Sequence, residues 1–118
     1  QTATVGTAVT LSGAGSTDPD GDLLSYSWSF DSLPAGSQAV LAGSTSVAPS
    51  FTMDAPGSYV VRLIVSDSEL ASTPDTVTIS TINSPPVARA GEDVTRLVGE
   101  QVTLNGTAST DVDGDPLT

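Results

Sequence analysis

The sequence predicts an all-β sandwich, and three observations predict it. Apolar and polar residues alternate along most of the chain, turn residues stand wherever the alternation stops, and no stretch carries the 3.6-residue period of an amphipathic helix. The expected strands are "AVTLSGA" (8–14), "LSYSWSF" (24–30), "AVLAG" (39–43), "SVAPSFT" (46–52), "SYVVRLIVS" (58–66) and "DTVTIST" (75–81). Between them lie "GSTDPDGD", "SLPAGS", "MDAPG" and "DSELASTP". Their Gly, Pro, Asp and Ser residues supply turn dihedrals or bond local backbone.

Each element has its own signal. In 24–30, Tyr26, Trp28 and Phe30 share one parity, so they face one side, and Trp28 is expected in the core. In 58–66, Tyr59, Val61, Leu63 and Val65 do the same. "DAPGSYVV" places Tyr59 just after a tight turn, where a tyrosine corner bonds its hydroxyl back to upstream backbone, and Asp54 is expected to support that turn. Asp31 and Asp75 read as solvated charges at strand edges. Six strands, with an opening one that would precede Gln1, make the seven of an immunoglobulin-like Greek-key sandwich.

The chain also repeats. "VGTAVTLSGAGSTDPDGDLLS" (5–25) lies over "VGEQVTLNGTASTDVDGDPLT" (98–118) with 13 of 21 positions identical at an offset of 93 residues. Such self-similarity marks a tandem array with a unit of one small domain. Residues 1–83 are expected to form one domain without its first strand. Residues 84–118 are expected to begin a second, truncated unit with its first two strands and acidic loop. Between them, "INSPPV" carries two prolines, which forbid helix and stiffen a short extended connector.

Composition narrows the partners. Fourteen acidic residues face three arginines, with no lysine or histidine, for a net charge of −11. That surface repels phosphate backbones and anionic lipid, so neither nucleic acid nor membrane insertion is expected, while cations are favoured. No apolar run approaches the length of a membrane-spanning helix, and cysteine is absent.

Taken together, "STDPDGDLLSYSW", "LPAGS", "SYVVRLIVSD", "PDTVTIST" and "NSPPVARAG" resemble the polycystic kidney disease (PKD) type repeats that occur in tandem in large bacterial and archaeal surface proteins. The stretch "FDSLPAGS" stands where many such domains carry "FGDG", and places the chain nearer the variant found in eukaryotic egg-receptor and adhesion-type proteins. The resemblance implies an extracellular or cell-surface, non-catalytic β-sandwich used as spacer, adhesion module or enzyme accessory, and implies that calcium is bound in some members.

The acidic loops are the candidate site. Three carboxylates in five residues repel by roughly 1 kcal/mol per pair even in water, and the chain repeats the arrangement as Asp18, Asp20 and Asp22, then Asp111, Asp113 and Asp115. In an immunoglobulin-like sandwich the entering linker and the B–C and F–G loops meet at one end. Asp67, with Glu69, is therefore expected beside the first cluster, and Asn83 with the Ser84 carbonyl beside the second. Hard oxygen ligands from separate loops suit Ca²⁺, whereas zinc and copper find no His or Cys. The spacing is not an EF-hand, since Leu23 and Ser29 occupy the places of its glycine and glutamate. The competing reading is a polar turn, with Asp18 bonding local backbone and Gly21 at positive φ.

Catalysis is not expected, because the clustered acids share a loop and no His, Cys or Lys is present to activate a nucleophile. Two roles follow. One is a calcium-stiffened stalk, fibre or spacer module whose partners are neighbouring repeats; the other is an adhesion module that grips a glycan or surface protein. The exposed sheet edge expected of the first unit also suggests head-to-tail self-association, with "PPVARAGEDV" of one copy adding to the next. Asn105 heads an N-glycosylation triplet, "NGT".

Overall fold

The structure is a computed structural model describing residues 1–118. It divides into two compact units, Gln1–Ile82 and Asn83–Thr118. The first contains six strands: β1 (Thr2–Ala3), β2 (Ala8–Thr10), β3 (Ser25–Ser32), β4 (Ser50–Thr52), β5 (Ser58–Ser66) and β6 (Asp75–Thr81). One sheet has the order β1-β6-β5-β3 and the other pairs β2 with β4. All pairings are antiparallel except β1 with β6.

The two inner faces enclose a core that includes Trp28, Tyr59 and Val61, as parity predicts, with Tyr26, Phe30 and Leu63 partly buried against it. Trp28, Tyr59, Val61 and Ile79 from the larger sheet meet Val9, Leu11, Phe51 and Met53 from the smaller. Phe30 packs edge-on against Phe51 with ring centroids 5.1 Å apart, and Phe51 lies 5.3 Å from Tyr59, the separation at which aromatic pairs attract beyond simple burial. Trp28 is buried and its Nε1–H donates to the Ser46 carbonyl at 3.0 Å, so the indole is a core residue with its polar handle satisfied.

Some expected strands are shorter or absent. The run 39–43 forms no strand; its contribution is a single bridge, Ala42 to Ser50, followed by a tight turn with Gly43 at φ 69°. The Ser44 carbonyl instead accepts the Trp28 N–H at 2.8 Å. The 46–52 run narrows to β4 because Pro49 has no N–H for a ladder. The 8–14 run narrows to β2, although Leu11 and Gly13 still donate to the Pro49 and Val47 carbonyls. Strand β1, which the sequence reading did not include, pairs in parallel with Ser80 and Thr81 and covers part of the β6 edge expected to be open.

The second unit contains one antiparallel bridge, Val87 to Thr110, in place of the two strands expected there. The reason lies in its apolar residues. Val102 and Leu104 are 46% and 81% exposed, whereas their counterparts one repeat earlier, Val9 and Leu11, are 2% and 5% exposed under the facing sheet. A ribbon with no second layer has little to hold it flat. Local turns nonetheless repeat: Thr7 N–H donates to the Thr4 carbonyl and Glu100 N–H to the Leu97 carbonyl, both at 3.1 Å, around Gly6 and Gly99 at positive φ.

Candidate functional site

The two acidic loops fold into the same turn. In the first, Asp18 Oδ1 accepts the N–H of Asp20 at 2.8 Å and of Asp22 at 3.2 Å, while Gly21 sits at φ 81°. In the second, Asp111 Oδ1 accepts the N–H of Asp113 at 2.8 Å and of Asp115 at 3.4 Å, with Gly114 at φ 80°. The first aspartate of each triplet thus spends one oxygen on the turn, as the competing reading of the loop requires. It keeps Oδ2; Asp20, Asp22 and Asp115 keep both oxygens, while Asp113 uses Oδ2 on the linker.

Sandwich topology brings the first loop beside the β5–β6 connection. Ser25 Oγ donates to the Ser66 carbonyl at 2.8 Å, tying the start of β3 to the end of β5. Beyond that tie, Asp18 and Asp67 line one depression of about 200 Å³ together with Thr17, Ser66 and Leu70. Asp67 Oδ1 accepts the N–H groups of Leu70 at 2.7 Å and Glu69 at 2.6 Å, and these two bonds hold its carboxyl below the ordinary aspartate range. Asp20, Asp22 and Glu69 are exposed and lie outside the depression.

In the second unit the linker meets its loop. Ser84 N–H donates to Asp113 Oδ2 at 2.6 Å, a charge-assisted bond across 29 residues of sequence. Asp113 Oδ1 and Ser84 Oγ are both buried and neither has a hydrogen-bond partner. A buried oxygen of an ionised carboxylate left unpaired is costly, and a donor or cation beside it removes the cost. Asn83 is exposed and enters no hydrogen bond, whereas Ser84 meets the loop through its N–H. Nowhere do three acidic side chains stand close enough together to hold an ion without rearrangement.

A second polar hub lies away from these loops. Asp54 Oδ1 accepts from Ser37 Oγ at 2.6 Å, and its Oδ2 accepts from Gln38 N–H at 2.6 Å. The Ser37 hydroxyl, then the Gln38 amide, hold the carboxyl below its ordinary range. Tyr59 Oη accepts the Ala55 N–H at 2.9 Å and lies 2.8 Å from the Ala55 carbonyl and 3.1 Å from Asp54 Oδ1, either of which can take its single proton. That is the tyrosine corner read from "DAPGSYVV", joined through Asp54 to the 37–38 loop.

The all-β fold agrees with what the chain is similar to. Over 109 residues it is 34% identical to the dyslexia-associated protein KIAA0319 homolog of Rattus norvegicus, covering 89% of this chain but only 10% of that protein. The solved PKD domain of the KIAA 1837 protein superposes with a TM-score of 0.50 at 28% identity, over 66% of this chain and 76% of that one. A nucleoside hydrolase-related hypothetical protein from Saccharophagus degradans, associated with carbohydrate metabolism, superposes with a TM-score of 0.60 at 28% identity, over 69% of this chain and 21% of its own. The chain therefore spans about a tenth of the curated relative and a fifth of the larger solved protein. Residues 1–81 match the family described as K319L-like, PKD domain, and the chain belongs to that family.

Proposed function

We propose that the chain is a non-catalytic, extracellular spacer module whose acidic loops bind Ca²⁺. The observation that carries this reading is that Asp113 Oδ1 and Ser84 Oγ are both buried and unpartnered, on two residues joined by the bond from the Ser84 N–H to Asp113 Oδ2. Both are hard oxygens, the chemistry calcium prefers, and the ion tolerates the irregular arrangement that loops provide. Asp111, Asp113, Asp115 and Ser84 would hold it in the second unit, and Asp18 and Asp67 in the first. Bound calcium supplies charge neutralisation and a cross-link between segments, with no chemical step. Because Ser84 lies in the Pro-Pro linker, an ion held there restrains the linker against the loop of the unit that follows it.

The module role is supported by burial of the aromatic residues. Trp28, Tyr59 and Phe51 are in the core, and Tyr26 and Phe30 pack against it, which leaves no flat aromatic platform for a sugar ring. No helix is long and apolar enough to cross a membrane. Isothermal titration of CaCl₂ into the full chain tests the reading. Saturable binding in the 0.1–1 mM range typical of extracellular modules is expected, weakened about tenfold or more by Asp113→Asn. No saturable heat in the native chain contradicts it.

A further inference from the structure

The two acidic loops place their proline differently. It follows the first aspartate in one, as Asp18–Pro19, and the third in the other, as Asp115–Pro116. A bond of this kind carries the means of its own scission. The aspartate carboxylate can reach the carbonyl carbon of its own residue and close a five-membered ring. The prolyl nitrogen, part of a tertiary amide, is more basic than an ordinary amide nitrogen and leaves readily once protonated.

The fold holds the two aspartates differently. Asp18 is half-buried, and its Oδ1 accepts the N–H groups of Asp20 at 2.8 Å and Asp22 at 3.2 Å. Turning that carboxylate onto its own carbonyl breaks both bonds, and hydrogen bonds to an ionised group are among the stronger ones. In the second loop Asp111 takes that place, and it is followed by Val112 instead of proline. Asp115 is exposed and neither of its carboxylate oxygens accepts a hydrogen bond; only its N–H is engaged, with Asp111 Oδ1 at 3.4 Å. Its counterpart in the first unit, Asp22, is likewise exposed with both oxygens free, and Leu23 after it is 94% exposed. The second unit contains the entering linker and the first contains the facing sheet, and neither covers this place in the loop.

We infer that Asp115–Pro116 is a self-cleaving bond, broken in mild acid by the Asp115 carboxylate, and that the turn shields Asp18–Pro19 from the same reaction. In the step, a carboxylate oxygen of Asp115 bonds to the Asp115 carbonyl carbon while the C–N bond to Pro116 breaks, and the prolyl nitrogen takes a proton from solvent. Water then opens the cyclic anhydride, which restores the Asp115 side chain and leaves a new main-chain carboxylate beside it. Nothing is oxidised or reduced. An ionised carboxylate and an available proton are needed together, which sets the reaction in mildly acid solution. The titratable groups of the same loop are Asp111, whose Oδ1 accepts the Asp115 N–H, and Asp113, whose Oδ2 is held by Ser84. No cation pairs with Asp115; the chain's salt bridge joins Arg62 to Asp31. The cut falls between the loop and the strand that follows it, since the equivalent bond, Asp22–Leu23, lies just before β3.

Intact-mass spectrometry of the full chain, held near pH 4 at 37 °C in EDTA so that no cation occupies the loop, tests this while Trp28 fluorescence reports that the chain stays folded. The expected product is residues 1–115. The cut after Asp18 should be slower by about tenfold or more, as the loss of two hydrogen bonds to a charged group implies. In concentrated urea the turn is gone, and the two bonds should be cut at similar rates. Pro116→Ala should abolish the product. Leu23→Pro, which puts a proline behind the equally free Asp22, should bring a cut after Asp22 in the first unit, and the Leu23 N–H makes no hydrogen bond for the change to remove. A folded chain that stays whole at Asp115–Pro116, or that is cut as fast after Asp18 as after Asp115, overturns the inference. So does a product that survives Pro116→Ala.

Discussion

Replacing Tyr59 with Phe removes one oxygen from a side chain that is fully buried. That oxygen accepts the Ala55 N–H and faces the Ala55 carbonyl, and Ala55 is itself 7% exposed. The ring remains to fill its place against Phe51, so no cavity forms and the cost is one of unsatisfied polar groups. A buried donor deprived of its partner costs about 1–3 kcal/mol, and Asp54 loses one of its neighbours as well. About 2 kcal/mol is the expected loss. For a unit of this size each kcal/mol moves the midpoint by about 4–8 °C, so Tm should fall by roughly 8–16 °C. Thermal unfolding followed by Trp28 fluorescence measures it, because the indole lies in the same core. Asp54→Ala alone, and with Tyr59→Phe, completes a double-mutant cycle, and coupling between the two is expected through their 3.1 Å contact. A fall of less than 2 °C for Tyr59→Phe, or strict additivity in the cycle, would refute the corner as a structural clasp.

Other outcomes follow from the same contacts. Asp54 and Asp67 both have folded pKa values below the ordinary 3.8, so the stability they confer is present above that value and is lost as pH falls through their lower folded values. Urea titrations between pH 2 and 6 should show that acid limb, flattened in Asp54→Asn with Asp67→Asn. Gly57→Ala should destabilise by about 2 kcal/mol or more, measured as a lower denaturant midpoint. A Cβ there would stand 2.6 Å from Pro34 Cβ, on a backbone at φ 131° that L residues avoid. If the depression holding Asp18 and Asp67 binds calcium with Kd near 0.1 mM, 1 mM CaCl₂ should stabilise the first unit by about 1.4 kcal/mol over EDTA, read as Tm.

Much of the fold was legible because it rests on local alternation. β3, β5 and β6 follow period-two runs whose inward residues, Trp28, Tyr59, Val61 and Ile79, are those the core contains. The glycine at positive φ in each acidic loop was legible for the same reason, since a turn's dihedrals are set by its own residues. What depended on distant partners was not. β1 is two residues long and owes its existence to a parallel neighbour near the other end of the unit, which leaves no mark on "TA". The 39–43 run alternates well enough for a strand, but its neighbours offer it one bridge and a carbonyl contact to Trp28. Asp54 was readable as a turn residue, whereas its bonds to Ser37 and Gln38 arise only when the 37–38 loop folds over the corner. At the candidate site the carboxylates and the nearness of Ser84 were read from sequence, but the bond from the Ser84 N–H to Asp113 was not, because it forms only through the fold.

Calcium binding at the acidic loops is the central claim, and amide chemical shifts of the full chain during CaCl₂ titration test it most directly. They report each loop separately, including the second unit, where the lack of a buried core makes melting uninformative. The account predicts saturable shifts confined to Ser84 and Asp111–Asp115, and to Thr17–Asp22 with Asp67–Leu70, reversed by EDTA and lost in the second unit on Asp113→Asn. Small, linear shifts spread over all the exposed carboxylates, or none at Ser84 and Asp113, would contradict it.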